Sequence, residues 1–503
     1  MALAVVYSRA NIGLEAPLVS VETHISNGLP SFSVVGLPET AVKESKERVR
    51  SAILNSLLEF PAKRITVNLA PADLPKTGGR FDLAIAIGIL AASGQLDISL
   101  LNQTVLIGEL ALSGEVRAVP GVLSGLIACR DEAHEAIIPA ANENEANLLG
   151  SDDILLCQHL LALCAHLQGE QRLPKTRRAV PGPATERQGL EEVVGQELAK
   201  RALLLAAAGG HNLLMRGPPG TGKSMLAGRL PSLLPLLDDH AALETAAIRS
   251  LAGLNGIREN YYEAPFRAPH HTASAVALVG GGKQLNAGEI SLAHHGVLFL
   301  DKLPEFSRHV LEVLREPLES GSIQISRAAY QTRMPACFQL IAAMNPCPCG
   351  YHGDRHHECH CSIDRIRHYQ QRISGPLLDR IDMQIELQAL SKTQRRLLLG
   401  NRRVKSKGVD LRQVVAQAQK RQRERAGKLN ARLEQGELLG SCHLSAASKQ
   451  LLEQLMERLR LSARASFRVL KVARTIADLK GDKAVDSKHI LEAAAFRQFE
   501  GQA

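Results

Sequence analysis

The sequence predicts a multi-domain α/β protein that ends in a helical unit, and three observations carry that prediction. A chain of 503 residues is too long for one ordinary core. Short β-like runs alternate with helical ones over much of its length, and apolar residues recur at i, i+3 and i+4 near its end. One stretch, 168–188, is polar, proline-rich and without apolar period, which marks a linker. These features divide the chain into 1–167, the linker 168–188, 189–390 and 391–503.

The first unit is mixed α/β. Ile65–Leu69 and Thr104–Ile107 read as strands, whereas Leu83–Ala92 and Val122–Arg130 carry helical runs. Beyond the linker, Leu190–Ala208 reads as a helix and His211–Arg216 as a short buried strand that runs into glycines. The last unit has apolar residues at helical spacing over Leu451–Leu461 and Val469–Leu479, the pattern of a small helical lid.

Strand, glycine-rich loop and helix in that order are what a nucleotide site requires. Gly217, Pro218, Pro219, Gly220, Thr221, Gly222, Lys223 and Ser224 spell a complete P-loop. Its glycines let backbone N–H groups wrap phosphates, Lys223 meets the β/γ-phosphates and Ser224 ligates Mg²⁺, so ATP and Mg²⁺ are the expected cofactors. Val297–Asp301 is an apolar strand ending in an acid, the form that holds Mg²⁺ through water. Lys302 follows it. An ammonium has donors but no acceptor, so Lys302 cannot take a proton from an attacking water, and it can instead pair with the γ-phosphate and hold ATP unhydrolysed. Glu305 lies about one turn further on, which disfavours it as a substitute base.

Ile341–Asn345 is a second buried strand, ending in an amide suited to orient water or sense the γ-phosphate. An Asn capping the next turn is the competing reading. Arg380 stands between Asp379 and Asp382, and an arginine supplied across a subunit boundary can stabilise transition-state charge. By spacing alone a surface Arg–Asp pair is equally ordinary.

Cys347, Cys349, Cys359 and Cys361 form a C-x-C…C-x-C cluster on a loop that also holds His352, His356, His357 and His360. Four thiolates so close together suit a structural, tetrahedral Zn²⁺, with reduced unligated thiols as the alternative. Cys129, Cys157, Cys164, Cys337 and Cys442 read as ordinary buried residues. A net charge of +9 permits a polyanionic partner without requiring one. Aromatics make up only 3% and Trp is absent, so a grip on DNA would run through the phosphate backbone and not through base stacking. The chain has no run of about 18 apolar residues and no leader-like opening, the pattern of a cytoplasmic protein without a membrane segment. The basic run Lys420–Arg425 reads as a solvated helix face.

Over nearly its whole length the chain resembles the ComM/YifB group of magnesium-chelatase-like AAA+ ATPases. The resemblance is carried by Gly36–Thr40, Asn68–Lys76, Ala207–Leu214, Phe266–Ser274, Gly288–Asp301, Leu314–Gly321, Ser374–Asp382 and Leu470–Leu479. It implies an AAA+ P-loop core in a homo-hexamer, with Arg380 as arginine finger, Arg464 as sensor 2 residue, and two insertions, Phe266–Leu292 and Gly321–Pro335, directed at the central pore. It also implies helicase or branch-migration activity on single-stranded, duplex or branched DNA during uptake and recombination of transforming DNA. The family carries Glu where this chain has Lys302, which puts turnover in doubt; a substitution made to trap ATP accounts for such a lysine more readily than a natural loss. Lys283, Arg327 and Arg333 on the insertions are candidate phosphate contacts, against a reading as solvated hairpin charge.

Residues Gly36–Glu145 also resemble the proteolytic domain of Lon protease, a ribosomal protein S5 domain 2-like fold that uses a Ser–Lys dyad. Arg80 stands where the nucleophile belongs and Gly125 where the lysine belongs, so no peptide hydrolysis is expected, with Ser124 as the remote alternative. Lys43, Lys46, Arg48, Arg50, Lys63 and Arg64 would give this domain a basic face for assembly or DNA contact. Two readings compete with a DNA motor. One is a remodeller of protein complexes or a chelatase-type subunit on the same core, and the other is a non-hydrolysing scaffold built around Lys302.

Overall fold

The computed structural model describes residues 3–37, 39–179, 189–281, 286–326, 331–354, 356–389, 391, 393–394, 396, 410–459 and 461–497. The N-terminal sheet is mixed. It contains β1 (Leu3–Arg9), β2 (Leu18–Ser26), β3 (Ser31–Val35), β4 (Arg64–Ala70), β5 (Thr104–Leu106), β8 (Glu135–Pro139) and β9 (Ile154–Cys157), in the order β3-β4-β2-β1-β5-β8-β9. A small ribbon, β6 (Glu109–Leu110) with β7 (Val116–Arg117), lies beside it. Alternating burial along β2 and β4 leaves one face for the core, and the helix Asp82–Ala92 fills it, buried along its whole length. Gly88 permits this approach, because a Cβ there would lie 2.5 Å from Thr23 Oγ1.

Arg48 turns inward from the expected basic face. Its Nε donates to Asp82 Oδ2 at 2.7 Å, which compensates a carboxylate buried at a helix start. The Lys43 side chain lies outside the described residues. The expected linker also begins as part of the sheet: Leu156 N–H donates to Pro174 O at 2.8 Å and Thr176 N–H to Ile154 O at 3.0 Å. These bonds satisfy the open edge of β9, a physical reason for a polar, proline-bearing segment to be ordered there. Residues 180–188 are outside the described set.

The second sheet is wholly parallel. Its strands are β10 (Leu213–Arg216), β11 (Phe266–Arg267), β14 (Val297–Leu300), β17 (Gln339–Met344) and β18 (Met383–Glu386), ordered β11-β14-β17-β10-β18. β14 and β17 are buried at every residue, as strands covered on both faces must be. β10 sits between β17 and β18, so the crevice beyond its carboxyl end is the topological switch point where such sheets bind ligands. Ahead of it, the expected helix over Leu190–Ala208 is interrupted. A short turn, Leu190–Glu192, gives way to the helix Glu197–Gly209, because Gly195 and Gln196 both adopt left-handed backbone, at φ +69° and +55°.

This unit also carries two short antiparallel ribbons: β12 (Gly280–Gly281) with β13 (Asn286–Ala287), and β15 (Ser322–Ser326) with β16 (Gln331–Pro335). Ile323, Ile325 and Met334 anchor the second ribbon in the core beneath β14 and β17.

The C-terminal helices Leu411–Ala426, Gln435–Cys442, Ala446–Arg458, Ala463–Lys480 and Ser487–Ala494 share one apolar core with β10 and the P-loop helix Lys223–Leu233. Asp410, Ser445 and Ser462 cap three of them with side-chain acceptors. The basic run Lys420–Arg425 is not simply solvated: Arg425 pairs with buried Asp478 at 2.7 Å, and Arg421 Nη1 donates to Asp478 O at 2.7 Å. No helix among the described residues is long and apolar enough to cross a membrane.

The N-terminal unit leans on the parallel-sheet unit through two helices, Val122–Asp131 and Asp239–Leu251. Leu123 packs with Ala242, Ala246 and Ala247, and Gly121 N–H donates to Ser250 O at 2.9 Å.

Candidate active site

The glycine-rich turn after β10 depends on backbone that other residues resist. Gly220 and Gly222 have φ of +75° and +87°, and a Cβ on Gly217 would lie 2.7 Å from Leu387 O. Lys223, at the first turn of the following helix, is buried, with Nζ donating to Gly217 O at 2.7 Å, Pro218 O at 2.9 Å and Asn345 Oδ1 at 3.2 Å. Burial pushes its pKa down to about 8, opposed by the charge of Asp301. Such a lysine gains strongly from an anion. Ser224 Oγ donates to Asp301 Oδ2 at 3.0 Å. P-loop, acid and amide thus converge from three adjacent strands.

Lys302 is exposed and sits at φ +54°, with its backbone N–H donating to Asp301 Oδ1 at 2.9 Å. That bond orients the carboxylate, while the ammonium has no partner among the described residues. Glu305 faces His271 at 3.5 Å and lies outside the Ser224–Asp301 pair.

Arg380 is at the other end of the sheet. Its carbonyl accepts from Asn212 Nδ2 at 2.9 Å, and Asn212 immediately precedes β10, whereas the P-loop follows β10. Four residues of strand separate them, roughly 13 Å at about 3.3 Å per residue. The spacing had placed Arg380 between Asp379 and Asp382, but its guanidinium pairs with Glu319 and donates to Pro376 O at 2.6 Å, leaving the side chain 12% exposed. Asp382 instead belongs to a buried network. Burial would raise its pKa, but His211 and Arg468, the latter at 2.9 Å, hold it below the carboxylate range. Arg464 is exposed on the first turn of its helix and outside the hydrogen-bonded set around Lys223.

Arg333 is exposed on the β15–β16 ribbon, where Nε donates to Ser322 Oγ at 2.8 Å. Lys283 and Arg327 lie outside the described residues.

The four sulfurs of Cys347, Cys349, Cys359 and Cys361 all lie within 4.8 Å of one another. Cys347 is 3.2 Å from Cys349 and 3.7 Å from Cys359, and Cys349 is 3.6 Å from Cys359. Zn–S bonds of about 2.3 Å in a tetrahedron require S···S spacings of about 3.8 Å, so the donor set fits. The loop leans on the P-loop: at Gly350, φ +88°, a Cβ would lie 2.7 Å from Pro219 Cδ. Cys337 differs from the expected buried thiol. It is only half-buried, its Sγ donates to Gly321 O at 3.4 Å and it accepts from Arg432 Nη1 at 3.4 Å.

Two contributors are hard to see in sequence. Gln196 Nε2 donates to Gln388 O at 2.8 Å and Thr221 O at 3.4 Å, bracing the P-loop from the helix before it. The other is Glu244 with His294 and His295, whose potential ligand atoms lie within 4.8 Å of one another. Cys337 N–H donates to His294 Nδ1 at 3.0 Å, so this ring is neutral with its proton on Nε2, facing Glu244 at 3.5 Å. A protonated nitrogen cannot ligate, and the three groups form a hydrogen-bonded brace between the helix Asp239–Leu251 and the residues just before β14.

Burial, with His295 adjacent, pushes the His294 pKa down to about 4 from 6.5, against the raising effect of Glu244. Between those values the unfolded chain binds more protons than the folded one, so stability is expected to fall as pH drops through this window. The loss from pH 7 to pH 5 is about 2 kcal/mol. Urea unfolding at both pH values checks this, and His294→Gln should remove most of the difference.

In the N-terminal unit Arg80 and Ser124 are both buried, and Ser124 Oγ has no hydrogen-bond partner. Gly125 lies against Ile107, 3.0 Å from where its Cβ would be. No base therefore reaches Ser124 among the described residues.

Comparison with known proteins gives three family matches along the chain. Magnesium chelatase, subunit ChlI, matches residues 189–395; subunit ChlI of Mg-chelatase matches 21–142; and the subunit ChlI C-terminal family matches 405–497. The chain is 50% identical over 502 residues to competence protein ComM of Haemophilus influenzae, covering 99% of this chain and 98% of that one. It is 47% identical over 502 residues to YifB of Escherichia coli, covering 99% and 97%. The magnesium-chelatase 38 kDa subunit of Rhodobacter capsulatus is 28% identical over 202 residues, covering 36% of this chain and 55% of that one.

Proposed function

Because this chain belongs to the ComM/YifB group of magnesium-chelatase-like AAA+ ATPases, we propose that it is a hexameric, ATP-driven motor that branch-migrates DNA during recombination of transforming DNA. In this reading the P-loop N–H groups and Lys223 hold the ATP phosphates, and Ser224 and Asp301 hold Mg²⁺, which screens the phosphate charge. Asn345, already 3.2 Å from Lys223 Nζ, orients the γ-phosphate and the water. Arg380 cannot serve its own P-loop across the length of β10, so it completes a neighbour's, exchanging Glu319 for phosphate. That separation is the observation that carries the ring reading. Arg464 reaches the same nucleotide from the lid.

Similarity to a competence protein and the basic residues of the two insertions support DNA as the substrate, with Arg333 as a phosphate contact. The checking measurement is binding to branched DNA between 50 and 200 mM salt, where a phosphate-gripping ring should lose affinity steeply. Arg333→Ala should weaken binding on every sequence and reduce the salt slope by about one. A flat salt dependence would favour a protein-complex remodeller.

Lys302 favours a second reading, a scaffold that binds ATP and does not turn it over. The Cys loop holds a structural Zn²⁺ that stiffens the wall behind Pro219, and one zinc per chain is expected by metal analysis. Cys359→Ser should lose it and lower both the melting temperature and ATP affinity. The N-terminal unit serves assembly and not proteolysis.

A further inference from the structure

Arg80 is a buried cation without a counter-charge. It is 4% exposed, and Nη2 makes only long bonds, 3.3 Å to Pro120 O and 3.4 Å to Gly121 O. Its other guanidinium nitrogens have no hydrogen-bond partner, and no carboxylate lies within ion-pair distance, among the described residues. Burial pushes its pKa down to about 10, which leaves it charged at neutral pH. A desolvated charge without compensation is strongly unfavourable, so the position calls for an anion.

There is room for one. Arg80 lines a cavity of about 190 Å³, many times the space one water needs. Thr77, Gly78, Gly79 and Asn11 line it with Arg80, and Leu251 of the parallel-sheet unit joins them. Glu109 also lines it, its carboxylate packed where a Cβ on Gly79 would stand. The walls therefore carry one positive and one negative group held apart. A phosphate dianion would meet repulsion from Glu109. A carboxylate matches the guanidinium fork in shape and charge, and an ammonium on the same molecule would satisfy Glu109.

We propose that this cavity, at the joint between the N-terminal and ATPase units, is a binding site for a small monocarboxylate such as an amino acid, gripped by the Arg80 guanidinium. Gly121 links the site to the joint: its carbonyl accepts from Arg80 while its N–H donates to Ser250 O at 2.9 Å. A ligand that draws the guanidinium off Gly121 acts directly on the seat of the helix Asp239–Leu251, whose Glu244 braces the segment before β14.

The test is calorimetric titration and thermal shift on the full chain with acetate, glycine and inorganic phosphate at constant ionic strength. Saturable binding of glycine or acetate, with a melting-temperature rise of about 2–4 °C, is expected, and phosphate should bind more weakly. Arg80→Met should weaken carboxylate binding about tenfold or more. Glu109→Gln should strengthen phosphate binding by a similar factor, a gain that does not depend on Arg80→Met folding. Absence of saturable carboxylate binding to the unaltered chain, phosphate outcompeting carboxylate there, or an unchanged phosphate affinity in Glu109→Gln would each overturn the assignment.

Discussion

Lys302→Glu is expected to raise ATP turnover by about 10²–10⁴-fold, the usual worth of a positioned general base. The surrounding geometry needs no repair. Asp301 is already oriented by the residue 302 N–H and by Ser224 Oγ, at 2.9 and 3.0 Å, and Lys223 and Asn345 are in register at 3.2 Å. Only the acceptor for the water's proton is missing, and a carboxylate supplies it. The side chain at 302 is exposed, so the exchange disturbs no packing. Phosphate release at saturating ATP, with and without branched DNA, is the measurement. A DNA-stimulated rate identifies a trapped motor, and unchanged release identifies the scaffold.

Arg380→Ala in the Lys302→Glu background is expected to lower turnover by about 10³-fold or more, the effect of removing an arginine that neutralises transition-state charge. Affinity for ATP should change little, because Lys223 and the P-loop lie at the other end of β10. Lost turnover with retained nucleotide binding separates a finger from a structural residue. A fall in melting temperature with no effect on turnover per folded chain would instead reduce Arg380 to the partner of Glu319.

The parts of this site legible in the sequence are those set by contiguous residues. The P-loop, the acid just after β14 and the amide just after β17 are each a few residues of local pattern, and the order of strand, loop and helix fixes their meaning. The Cys loop is similar, since a separation of twelve positions between Cys347 and Cys359 allows the sulfurs to close on one another. Long-range pairing is what spacing cannot reveal. Arg380 looked flanked by Asp379 and Asp382, yet its partner is Glu319, 61 residues earlier in the chain, and Asp382 belongs to His211 and Arg468. Arg421 and Arg425 read as solvated charge in the sequence because Asp478, which accepts hydrogen bonds from both, is more than fifty residues away. The strap at Pro174 was hidden by its composition: polar and proline-rich segments suit both linkers and strand edges. Nothing in a single chain's pattern specifies a neighbour, so the proposed ring rests on the separation of Arg380 from its own P-loop.

Mixing two inactive variants tests that ring most directly. In the Lys302→Glu background, Lys223→Ala removes the phosphate grip but keeps Arg380, and Arg380→Ala keeps the grip but lacks the finger. If fingers act between subunits, mixed assemblies regain ATP hydrolysis wherever an intact P-loop faces an intact arginine, with a maximum near equal proportions. Co-assembly of the two variants with no recovered hydrolysis would contradict an arginine that works across the subunit boundary.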